Sequence, residues 1–119
     1  MGNVTVDFVA READQSRWQM LLVEEGPWPE GQIEANLQRI QERLYGCIEA
    51  AMDGQLAEKY PASVGKALTI LVDFYNVPEK RARQFFERFS TGALDQPTFR
   101  TALEGNGFVQ DISFEANFQ

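Results

Sequence analysis

The 119-residue chain has no histidine and a single cysteine, Cys47. Without imidazole it lacks the general base, proton shuttle and transition-metal ligand most used near neutral pH. Carboxylates, Lys, Tyr and Ser/Thr are left as the remaining candidates for chemistry. One cysteine cannot close an internal disulfide, and Cys47 falls in a helical apolar pattern, so it reads as a buried thiol in a reducing compartment. Long hydrophobic runs are missing too: no stretch approaches the ~20 apolar residues that span a bilayer. Residues Met1 to Asp7 show neither the basic nor the apolar segment of a secretion signal. Met1-Gly2 opens like a myristoylation signal, but Val6 stands where that signal needs Ser or Thr. A soluble, cytoplasmic protein is the expectation. Walker-type and Gly-x-Gly-x-x-Gly phosphate loops, Cys-x-x-Cys pairs and Gly-x-Ser-x-Gly elbows are absent, so neither a cofactor nor a metal is expected.

Basic charge is scarce. Eleven Lys and Arg against eighteen Asp and Glu give a net charge of −7. Such a chain repels phosphate backbones and anionic membrane surfaces, which disfavours nucleic-acid and membrane partners and favours a basic one. The one basic cluster, Lys80, Arg81, Arg83 and Arg88, is interrupted by Glu79 and Glu87 and reads as the solvated face of an amphipathic helix.

Apolar material, by contrast, is ample. Hydrophobic residues make up 44% of the chain, with nine Phe among them. At this length folding buries roughly two-thirds of the surface of the extended chain, so a single domain over residues 1–119 is expected. Val4, Val6, Phe8 and Ala10 alternate with polar residues, the period of a half-buried strand. A second strand runs from about Arg17 to Glu24, and the short polar stretch from Arg11 to Ser16 suggests a hairpin between them. Gly26-Pro27-Trp28-Pro29 ends that strand. From Gln32 to Met52, Ile33, Leu37, Ile40, Leu44, Cys47, Ile48 and Ala51 trace one stripe of a long helix, stopped at Asp53-Gly54. Gln55 to Tyr60 adds a helical turn, and Ala62 to Lys66 reads as a loop.

Leu68, Ile70, Val72 and Phe74 mark a third strand, apolar on both faces and hence central. A helix follows, with Asn76 as its cap, Ala82, Phe85, Phe86 and Phe89 as its buried stripe and Gly92 as its end. A further short helix is expected over Asp95 to Glu104. The last strand sets Ile112, Phe114, Ala116 and Phe118 on one face and Ser113, Glu115 and Asn117 on the other. The order β-β-α-β-α-(α)-β leads to an α+β fold: a mostly antiparallel four-stranded sheet with helices packed on one face.

Five segments resemble a small bacterial family of unknown function: Val6-Asp7-Phe8-Val9-Ala10, Leu22 to Trp28, Arg39 to Tyr45, Asp53 to Lys59 and Phe85 to Phe89. The resemblance covers nearly the whole chain. It implies a bacterial domain and brings no catalytic residues with it.

Two sets of residues stand out as candidate sites. Glu24, Glu25, Trp28 and Glu30 surround two prolines at a strand end, which suits a recognition loop whose aromatic ring supplies contact area and whose carboxylates meet a cation. A rigid chain reversal with Trp28 packed under the long helix is the structural reading of the same segment. Asp7, Asp73 and Glu115, with Tyr75, would share the open sheet face, where carboxylates could bind a hard cation or do acid/base work if strand order gathers them. Val9, Leu21, Val23 and Leu71 are expected beside them, forming an apolar and acidic patch of the kind that contacts another chain. The sequence thus points to a non-enzymatic interaction domain, accessory or inhibitor-like, that masks a basic protein, forms a homodimer, or both. A small enzyme or ligand-binding domain on the open face and a purely structural homo-oligomer are the alternatives.

Overall fold

The computed structural model describes residues 8–11, 17–95, 97–105 and 107–118. Four strands, β1 (Phe8–Arg11), β2 (Arg17–Glu25), β3 (Lys66–Tyr75) and β4 (Val109–Phe118), form one sheet in the order β1-β2-β3-β4. The helices are α1 (Ile33–Met52), α2 (Gln55–Lys59), α3 (Glu79–Asp95) and α4 (Pro97–Gly105). Single 3-10 turns lie at Glu30–Gln32 and Pro61–Ser63. Val4 and Val6, the expected Arg11 to Ser16 turn and Asp7 lie outside the described residues, apart from Arg11 itself.

The expected mostly antiparallel sheet is overturned. Only β1 pairs antiparallel with its neighbour, whereas β2 with β3 and β3 with β4 pair parallel. The physical reason is the length of the connections. A parallel neighbour needs a crossover of a dozen or more residues, normally a helix, and both α1 and the α3–α4 pair supply one. The two crossovers step in the same direction across the sheet. Because such connections share one hand, their helices fall on the same face, and the other face has no helical layer among the described residues.

Strand parity then distributes the side chains. Trp18, Met20 and Leu22 of β2, Leu68, Ile70, Val72 and Phe74 of β3, and Ile112 of β4 are buried against the helices. Phe114, Ala116 and Phe118 pack against the same core. The α1 stripe supplies Leu37, Ile40, Leu44, Cys47, Ile48 and Ala51, spaced by three and four so that one face meets the sheet. From α3 come Ala82, Phe86 and Phe89. Phe89 links the layers, standing edge-on to Phe114 of β4 at 5.5 Å and to Tyr45 of α1 at 5.1 Å between ring centroids. Two boundaries differ from expectation. The helix after β3 runs through Gly92 to Asp95, and Asn76 precedes it in the left-handed region at φ 55° instead of capping it.

Cys47 is fully buried, and burial pushes its thiol up to about 12, with Arg43 pulling weakly the other way. The folded chain therefore keeps the proton where the unfolded chain, with a thiol near ~8.5, loses it. This contribution to stability is fully present below that unfolded value and is lost as pH rises from there toward about 12. Native Cys47 should resist iodoacetamide at pH 8 and react fully in denaturant, which mass spectrometry would read. Equal alkylation rates in the two states would contradict its burial.

The turn after β2 is tight. The Gly26 N–H donates to the Tyr75 carbonyl at 2.7 Å, and a Cβ on Gly26 would lie 1.7 Å from the Asn76 carbonyl oxygen. Gly26→Ala should therefore cost about 3 kcal/mol or more, at the upper end of overpacking penalties. Gly31→Ala, with nothing within 4 Å of its Cβ, should stay within about 0.5 kcal/mol in the same urea titration.

Candidate functional site

The acidic segment at the end of β2 divides by strand parity. Glu24 follows Leu22 onto the helix-covered face and is only 3% exposed. Its carboxylate accepts from Arg39 Nη1 at 2.9 Å and Nη2 at 2.7 Å, and from Arg43 Nη1 at 2.6 Å. Arg39 and Arg43 stand one turn apart on α1, so a single stripe of that helix delivers both guanidinium groups. Asn36 Oδ1 accepts a further bond from Arg39, and the Val23 carbonyl accepts one from Arg43. The hydrogen bonds to Glu24 hold the Arg39 guanidinium above its ordinary value, against the opposing effect of burial. Trp28 is buried as well, edge-on to Phe74 at 6.4 Å. Glu25 and Glu30 are exposed. The four residues thus do not form one surface: Glu24 and Trp28 hold the fold, and only Glu25 and Glu30 meet solvent.

The open sheet face is assembled from the other parity. Its rows are set by register: Leu21, Leu71 and Glu115 across the middle, Val23, Asp73 and Asn117 beside them, and Glu25 next to Tyr75. In the opposite direction lie Gln19, Thr69 and Ser113, then Arg17, Ala67 and Asp111. Val9 does not join this set as expected. The residue opposite Leu21 is Phe8, and Val9 stands opposite Met20.

Asp73 and Glu115 do come onto one face, on adjacent strands, with Tyr75 39% exposed at the end of the sheet. Asp73 Oδ1 accepts from Asn117 Nδ2 at 3.0 Å. Asp7, the third carboxylate of the expected set, lies outside the described residues. Among the described residues no three carboxylates or thiols gather as a metal site would require. The polar group that sequence reasoning missed is Arg17, whose Nη1 donates to Thr69 Oγ1 at 3.0 Å and Ser113 Oγ at 3.2 Å. Thr69 is fully buried beneath it. Tyr45 and Tyr60 pack on Phe89 and Trp18. No described helix is long and apolar enough to cross a membrane.

Removing one partner from a buried ion pair leaves the other charge uncompensated. Glu24→Gln should therefore destabilise the fold by roughly 2–4 kcal/mol, somewhat below the fully buried case because Arg39 reaches solvent. Arg43, 17% exposed, should matter more than Arg39, 46% exposed. Urea titration of Arg43→Met and Arg39→Met would test that ranking, and the reverse order would show that the bidentate contact dominates.

No curated protein and no solved structure shows significant similarity to the chain. Residues 2–103 match the model of DUF6572, a family of unknown function, a segment that contains β1, β2, β3, α1 to α3 and most of α4 and stops short of β4. The chain belongs to that family.

Proposed function

We propose that the protein is a non-enzymatic interaction domain whose open sheet face takes a basic surface of a partner protein. The observation that carries the reading is the composition of this face. Leu21, Val23 and Leu71 form its apolar part, and Glu25, Asp73, Asp111 and Glu115 lie beside it toward the β2 end and the β4 edge on the same side of the sheet. The one guanidinium among these rows, Arg17, is engaged by Thr69 and Ser113. A second copy would set carboxylates against carboxylates, and like charges opposed across an interface are unfavourable. A cationic surface pairs with the carboxylates, while the apolar part supplies the desolvated contact. The net charge of −7 speeds encounter with such a partner. An accessory or inhibitory role by masking follows, in the reducing cytoplasm that suits an unpaired Cys47. Of the loop residues, Glu25 belongs to this face and Glu30 lies exposed nearby in the chain.

Affinity capture from host lysate with the wild-type chain and with Asp73→Lys/Glu115→Lys tests the proposal. The expected result is one stoichiometric partner of net positive charge, kept by Glu30→Lys and lost on the double variant with unchanged circular dichroism. Bait alone, or a partner indifferent to the double variant, overturns it. A concentration-dependent dimer in sedimentation that Leu71→Asp abolishes would replace it with self-association.

A further inference from the structure

The helical layer has an unfilled seam. Above the shared core, α1 and α3 are joined by the ion pair between Glu34 and Arg81 and by the edge-on rings of Tyr45 and Phe89. Between these contacts lies a groove of about 490 Å³ floored by Leu37 and Phe85. This is the size of a small-ligand site, which typically spans ~300–1,000 Å³. Its length follows from the helix rise: the seven steps from Glu34 to Gln41 cover about 10 Å.

The walls are chemically uniform. Gln38 and Gln41 project from α1, and Gln84 and Arg88 from α3. The spacing 81, 84, 88 on one helix and 34, 38, 41 on the other keeps each set on one face, so the two stripes confront each other. None of these three amides, nor the Arg88 guanidinium, has a side-chain partner among the described residues. Among the described residues Arg81 is held only by Glu34, which is 80% exposed and is the one carboxylate among those lining the groove. A chain of net charge −7 therefore carries here a local excess of positive charge beside free amide donors and acceptors, over an apolar floor.

We propose that this seam binds a small organic anion, a phosphate or carboxylate carried on an apolar or aromatic body. Arg88 pairs with the anionic group, and Arg81 joins it when the anion displaces Glu34. Leu37 and Phe85 take the apolar body, and Gln38, Gln41 and Gln84 bond its polar edges. The site lies on the opposite side of the sheet from the face assigned to a protein partner and does not depend on it.

Titration of the isotopically labelled protein with phenyl phosphate, followed by amide NMR, tests this directly. Saturable shifts confined to residues 34–41 and 81–88 are expected, with inorganic phosphate at least ~10-fold weaker and benzylamine without effect. Arg88→Gln, a change at an exposed position, should weaken phenyl phosphate about 10-fold, or about 1.4 kcal/mol. Glu34→Gln should tighten it by releasing Arg81. Absence of saturation, shifts centred elsewhere, an equal response to benzylamine or inorganic phosphate, or unchanged affinity in a folded Arg88→Gln protein would each overturn the proposal.

Discussion

A carboxylate buried at the end of β2 fixes how the longest helix lies on the sheet. Glu24 satisfies both of its oxygens with guanidinium groups from α1, at distances of 2.6–2.9 Å. Slipping α1 by one turn would put one guanidinium in the other's place and leave Glu24 with one partner where it now has two, and lost compensation of a buried charge is far more costly than the small net gain of forming such a pair. The pair therefore acts mainly as a constraint on register. Its location strengthens that role, since the chain turns at Gly26 against the backbone of Tyr75 and Asn76 immediately afterwards. With Trp28 packed on Phe74, this end of the sheet ties β2, β3 and α1 into one unit.

Much of the architecture was legible because periodicity reports faces. The alternation through Leu68, Ile70, Val72 and Phe74 and the stripe from Leu37 to Ala51 both correspond to buried surfaces. Strand direction was misread although its signal was present. A strand, a 20-residue helix and a strand in succession describe a crossover, and a crossover of that length joins parallel strands. The expectation of a mostly antiparallel sheet gives that direction to strands whose connections contain helices. That inference fails on connection length alone.

The candidate sites were less legible, for two distinct reasons. Glu24 and Glu25 were grouped as sequence neighbours, yet adjacent strand residues face opposite ways. The parity that put Leu22 inside also put Glu24 inside, and Arg39 and Arg43 one turn apart on the stripe beside it were the available clue. Trp28 lies past the strand end, where parity no longer applies, so its contact with Phe74 required the tertiary structure. The α1–α3 seam was hidden for the same reason. Helical periodicity places Arg81, Gln84 and Arg88 on one face, but which residues of another helix confront that face depends on how both lie on the sheet. The basic cluster in α3 had been read as a solvated face, which describes Arg83 with its i, i+4 partner Glu79 but omits the groove beside Arg88.

The two surfaces can carry opposite charge without cancelling each other. The sheet and the packed helical layer separate Arg81 and Arg88 from the carboxylates of the open face by at least the ~10 Å typical of packed layers. At physiological salt the Debye length is about 8 Å, so exposed charges on opposite sides of the molecule are largely screened from one another. A cationic partner of the kind proposed would therefore meet an acidic surface at Asp73 and Glu115 even though the far side holds a groove lined by Arg81 and Arg88. Screening also divides the roles within the open face. In the proposed interaction the carboxylates would act while a partner is still approaching and lose that reach as salt rises, whereas Leu21 and Leu71 would contribute only after water is excluded. On this face, added salt should slow association more than it speeds release, because the apolar part that would retain a partner depends little on ionic strength.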